Sequence, residues 1–95
     1  MIRDPVTKAD PTELALRALA WTLSDGDRAA RLLAVTGLTP EDLRARAATR
    51  PVLAAVLGFL EGHQPDLLAC AEDLDVMPGS LAAARVKLDG GEPDR

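Results

Sequence analysis

Proline recurs along this chain at Pro11, Pro40, Pro51, Pro65 and Pro78, each time just ahead of a run of helix-forming residues. Its ring fixes φ, it has no N–H to donate, and it clashes with the preceding turn of a helix interior. At the first helical position none of this matters, because that N–H would have had no intrahelical partner. The prolines therefore mark five helix starts and forbid any helix from running through them. Two starts carry cap chemistry as well. Asp10-Pro11-Thr12-Glu13 and Thr39-Pro40-Glu41-Asp42 place a capping oxygen before the proline and a carboxylate after it, in the order of a capping box. Arg50-Pro51, Gln64-Pro65 and Met77-Pro78 lack a good cap side chain.

Stops fall between the starts. Asp25-Gly26, Gly37 and Gly62 each suit a left-handed position just past a helix end. The spacing predicts six helices, at 11–24, 26–36, 40–48, 51–61, 65–74 and 78–88. Residues 1–9 read as a flexible N-terminal segment and 10–88 as one helical domain. The run Asp89-Gly90-Gly91-Glu92-Pro93-Asp94-Arg95 reads as a disordered tail.

Residue usage agrees with helices alone. Leu and Ala dominate the apolar fraction, with one Trp, one Phe and no Tyr. These are helix formers, whereas strands favour β-branched and aromatic residues. The expected fold class is all-α, a compact bundle of about six short helices in a single domain. The fourth segment, Val52 to Leu60, is apolar almost all round, which marks a central helix. Val52, Val56 and Phe59 would supply one contact face, and Leu53, Leu57 and Leu60 a second. Gly58 interrupts this helix at a cost of about 1 kcal/mol relative to Ala. Close approach of another helix would explain it, and a ligand lying on the backbone is the alternative.

Shifting the chain by 38 residues lays Thr36–Leu43 on Leu74–Leu81. In both, a helix ends, one apolar residue (Leu38 or Val76) follows, a proline opens the next helix, and a leucine comes three residues later. The same junction chemistry used twice accounts for this likeness, and a true duplication is the other reading.

Charge and cysteine narrow the function classes. The net charge is −4, with a pI near 4.8. Nucleic-acid modules draw their affinity from displacing phosphate counterions and carry a basic face. An acidic balance argues against nucleic acid as a partner and lends nothing to adsorption on anionic membranes. No apolar stretch approaches the roughly 18–20 residues that cross a bilayer, and MIRDPVTKAD has no secretory apolar region. A cytoplasmic location is the expectation. Cys70 lies in the run Leu67–Ala71 and reads as a small buried hydrophobe.

Chemistry-bearing residues are sparse. His63, the single histidine, falls between two helices, and one His with one distant Cys is too few for zinc. Ser24 and Ser80 stand in no nucleophile motif. Glu72, Asp73 and Asp75 crowd a helix C-terminus without EF-hand spacing, and read as a solvated face with an Arg partner. No catalytic, metal or cofactor site is expected, and the chain is not expected to be an enzyme.

Helix, glycine turn and second helix also outline a DNA-binding helix-turn-helix, over 32–48 or 70–88. On that alternative, a DNA-binding regulator, Arg44, Arg46 and Arg50 would make the contacts. Glu41 and Asp42 would then meet the DNA first, and neither candidate recognition helix offers Asn or Gln for adenine. The leading expectation is a non-catalytic protein–protein interaction or self-association module. The first helix carries more apolar surface than one packing face needs. Leu14 and Trp21 lie on one stripe, and Leu16, Ala20 and Leu23 on another. One stripe should enter the core and the other line a homodimer or partner contact, unless the sixth helix covers it. Trp21 itself reads either as core or as an anchor for the partner.

With the helices in place, the order of motifs resembles a family of small alphaproteobacterial proteins defined as a domain of unknown function. The resemblance rests on Leu16–Trp21, Asp25-Gly26-Asp27-Arg28, Leu32–Pro40, Leu43-Arg44, Ala47 and Pro51–Leu57. That family usually carries Phe where this chain has Trp21 and Leu32, and an acidic residue near Gly58. The resemblance implies a compact helical domain over about residues 12–88 and implies no activity.

Overall fold

The computed structural model describes residues 10–90, so the expectations for 1–9 and 91–95 lie outside the described residues. Six helices follow in order: α1 Pro11–Leu23, α2 Gly26–Thr36, α3 Pro40–Arg46, α4 Arg50–Glu61, α5 Gln64–Leu74 and α6 Pro78–Leu88. There is no strand among the described residues, and the domain is all-α as expected.

All five prolines sit in the first turn of a helix. Two of these helices start one residue earlier than the prolines alone suggested. Thr49 and His63 are the caps of α4 and α5, so Arg50 and Gln64 are already helical. The capping box of α3 is complete. The Asp42 N–H donates to Thr39 Oγ1, and the Thr39 N–H returns a bond to Asp42, each at 3.0 Å. That backbone bond is the main reason the Asp42 carboxyl is held below its ordinary value. At α1 the Asp10 carboxylate accepts from the Thr12 N–H at 3.0 Å.

Two of the three expected glycine stops behave differently. Asp25 does not close α1; it opens α2 by accepting from the Arg28 N–H, with Gly26 already inside that helix. Gly62 keeps an ordinary right-handed conformation at φ −78°. Gly37 is left-handed, with φ +78°, as are Asp75 after α5, φ +61°, and Gly90 after α6, φ +82°. Asp is among the few side chains that enter this region readily. Gly37 and Asp75 are equivalent under the 38-residue shift. Both matching junctions thus use a left-handed residue, one apolar residue, a cap and a proline. Asp89 and Gly90, assigned to the tail by composition, finish α6: the Gly90 N–H donates to the Lys87 carbonyl at 3.1 Å.

The core is centred on α4, which packs against α1, α2, α5 and α6, most extensively against α6 and then α1. Val52, Leu53, Val56, Leu57, Phe59 and Leu60 are all buried, so both expected contact faces are in use. From α1 come Leu14, Ala15, Ala18 and Leu19, and from α6 Leu81, Ala84 and Leu88. α3 buries no residue completely and touches the core through Leu43 and, just beyond its end, Ala47. Gly58 does not mark a tight crossing. A Cβ there would meet only the Arg85 side chain, at an ordinary 3.7 Å.

Candidate interaction surface

The packing of α1 decides which of its apolar stripes is free. Side chains advance about 100° per residue around a helix. Leu14, Ala15, Ala18, Leu19 and Thr22 form the buried arc. Leu16, Ala20 and Leu23 fall within about 60° of one another on the other side. All three are exposed, Leu16 by 37% and Leu23 by 42%. α6 packs closely on α1 without covering them. Leu14, from the alternative stripe, is withdrawn into the core at 4% exposure and is not available to a partner.

Trp21 occupies the boundary between the arcs. It is half-buried and packs on the core. Its indole Nε1–H donates to the Asp73 carboxylate at 2.6 Å, across 52 residues of sequence. The Arg28 guanidinium stacks on its ring 3.6 Å from the centroid. Arg28 also donates to the Trp21 carbonyl (2.7 Å) and to Ser24 Oγ (3.3 Å). A guanidinium over an indole face gains quadrupole attraction, and the ring's polar edge is satisfied as well. Arg17 donates to the Leu74 carbonyl at 3.0 Å, setting a positive charge at the C-terminal end of α5, where the acidic cluster lies. Trp21 is therefore a clip between α1, α2 and α5, with one face shut by Arg28.

A second surface lies where α2, α4 and the start of α5 meet. Arg31, Val35, Gly58, Phe59, Gly62 and His63 line an open groove of about 510 Å³. Phe59 is nearly closed off, whereas Val35 is 70% exposed. Both Arg31 NH1 and His63 Nδ1 lie 2.9 Å from the same oxygen of Asp66, a mostly buried carboxylate in the first turn of α5. Burial opposes the charge on Asp66, but the bonds from Arg31 and His63 outweigh it and hold this carboxyl below its ordinary value. A smaller apolar groove of about 390 Å³, between α3 and α4, includes Leu38 and Val52.

The three arginines assigned to DNA on the alternative reading are all engaged. Arg44 pairs with Glu41 at 3.3 Å and Arg46 with Asp42 at 3.0 Å, each within α3. Arg50 reaches across to α6 and donates to the Leu88 and Lys87 carbonyls at 3.2 and 3.1 Å. Cys70 is fully buried, and burial pushes its thiol up to about 11, away from the thiolate that reacts. No group of three or more His, Cys, Asp or Glu residues able to hold a metal occurs among the described residues. Among the same residues, no helix is long and apolar enough to cross a membrane.

Sequence reasoning singled out Trp21 and His63 without their partners, and expected an Arg partner for the acidic cluster where the structure pairs Asp73 with the Trp21 indole. Arg28 stands seven residues after Trp21, two helical turns on, but a helix boundary intervenes. Asp66, the hub beneath Arg31 and His63, gave no signal beyond an acidic residue early in a helix.

Comparison with known proteins returns no match among curated proteins and none among solved structures. One family, described as Protein of unknown function (DUF3572), matches residues 8–91. That span takes in every helix of the domain, both apolar surfaces and the Trp21 clip, and the chain belongs to this family.

Proposed function

We propose that the protein is a non-catalytic interaction module that binds a partner protein, or a second copy of itself, through the outward face of α1. One observation carries this reading: Leu16, Ala20 and Leu23 stay in solvent although α2, α4, α5 and α6 all pack on the same helix. Contiguous exposed apolar side chains at helical spacing mark interfaces more often than they occur by chance. The commitments of the polar groups support it. Arg44, Arg46 and Arg50 are spent on Glu41, Asp42 and the end of α6, which favours protein over DNA as the partner. Cys70 is sealed in the core, away from covalent chemistry. A cytoplasmic setting belongs to the same reading.

The test combines sedimentation with site-specific capture. Sedimentation at micromolar concentration should show either a dimer that Leu16→Arg plus Leu23→Arg dissolves, or a monomer. For a monomer, a photo-crosslinking residue at position 20 in the native host should trap one discrete protein. The same residue at the exposed position 86 of α6 should not trap it. A monomer with no position-dependent crosslink refutes the α1 surface.

A further inference from the structure

The groove between α2, α4 and α5 combines features that a flat apolar face lacks. Its floor is the ring of Phe59 and the bare backbone at Gly58 and Gly62, and Val35 forms an exposed apolar wall. Its polar margin is Arg31 and His63, whose side chains are each nearly half exposed (45% and 48%). Asp66 fixes one nitrogen of each, NH1 of Arg31 and Nδ1 of His63, on a single oxygen. Among the described residues, that is the one hydrogen bond formed by the Arg31 guanidinium. A guanidinium carries five N–H donors in a fixed plane, so most of the fork remains unspent. The Phe59 ring sits 5.8 Å beneath the Arg31 guanidinium and helps keep it over the groove.

Directed N–H donors beside an apolar trough recognise a carboxylate attached to an apolar group. We propose that this groove docks a segment of a partner polypeptide in which an apolar side chain lies next to an acidic one. The apolar side chain would rest on Phe59 and Val35, and the carboxylate would accept from the free donors of Arg31. Asp66 does not exclude such a guest. The oxygen that faces the two cation-side residues is mostly buried and already accepts from Arg31 and His63, and it pre-orders the Arg31 fork so that less side-chain freedom is lost on binding. The openness of the trough favours a polypeptide over a small free acid. Enclosed pockets bury about 70–90% of a small ligand's surface, whereas a one-sided groove needs the further contacts a chain supplies. The surface shares no residue with the α1 stripe and does not depend on it.

Amide NMR spectra of the intact protein test this directly. The probe is a blocked tetrapeptide with adjacent Leu and Glu, and its control carries Gln in place of Glu. The Glu peptide should shift the amides of Val35, Gly58, Gly62 and His63 and saturate in the millimolar range. The Gln peptide should bind about two- to fivefold more weakly, the scale of a single solvated ion pair. Arg31→Gln should remove that preference, and Arg31→Lys should restore part of it, since it keeps the charge and the Asp66 partner but loses the fork. The α1 amides should not move, which separates this site from the one proposed above. Equal binding of the two peptides, shifts confined to other helices, or no shift in the millimolar range would each overturn the proposal.

Discussion

Replacing Leu57 with alanine tests the claim that α4 is the centre of the domain. Leu57 is fully enclosed, at 0% exposure, on a helix flanked by α1, α2, α5 and α6. Losing the end of its side chain forfeits about 2–2.5 kcal/mol of transfer free energy, at about 0.8 kcal/mol per buried carbon. The walls cannot close the gap freely, because Leu53, Val56, Leu60 and Leu81 around this helix are themselves fully buried. A residual cavity on the order of 50 Å³ adds about 1 kcal/mol. The expected loss is therefore about 3–4 kcal/mol, against a total of about 5–14 kcal/mol for a domain of this length. For a chain of this size that lowers Tm by roughly 15–25 °C. Guanidinium melts followed by Trp21 fluorescence and by far-ultraviolet circular dichroism should coincide and shift together. Leu68→Ala, at a site 48% exposed on α5, is the control and should stay within about 1 kcal/mol of the parent. A Leu57→Ala loss under about 1 kcal/mol would mean that α4 is not the centre of the core.

Two glycines should respond with opposite signs in thermal melts. Gly58→Ala should stabilise by about 0.5–1 kcal/mol, because the site is helical and a Cβ there finds only an ordinary contact with Arg85. Gly37→Ala should cost about 1–2 kcal/mol, because the open space around it does not relieve a φ of +78°; the same sign at both sites would contradict the backbone geometry. Asp66→Asn should cost about 1–2 kcal/mol at neutral pH by weakening the bonds from Arg31 and His63. Because folding lowers the Asp66 carboxyl below its ordinary value, that stabilisation is complete above the unfolded value of about 3.9 and fades as pH falls through the folded one. Denaturant melts across this range should show parent and variant converging in acid, and a constant gap would show that the carboxylate charge is not what matters.

Helix positions were legible because their signals are local. Proline, cap and periodicity act within one turn, and the six segments were placed to within two residues at every boundary. The misreadings also have a physical pattern. Asp25-Gly26 carries the marks of a stop, but a two-residue joint between helices has room for one cap, and Asp25 serves the helix that follows. Asp75 takes the left-handed turn that residue preference would give to glycine. Arg50 looked like a free charge, and only the tertiary fold brings it to the carbonyls at the end of α6. The free stripe of α1 was legible as one of two choices. The choice itself depended on how α6 approaches, which no local pattern encodes. The groove was not legible at all, because Arg31 and His63 lie 32 positions apart in the sequence and meet on one carboxylate, Asp66, only in the tertiary fold.

The placement of α6 bears on when this protein becomes whole. The two most extensive helix pairings along the chain join α6 to α4 and to α1, and Arg50 is bonded to carbonyls at residues 87 and 88. α1 and α4 are synthesised before α6 and hold their largest apolar faces ready for it. A ribosome adds about 5–20 residues per second, and the last part of a nascent chain stays within the exit tunnel. Until residue 88 emerges, the contacts that α6 makes with α1 and α4 cannot form. Closure of the core thus waits on the sixth helix, and a chain cut short before Pro78 would leave uncovered the faces of α1 and α4 that α6 packs on.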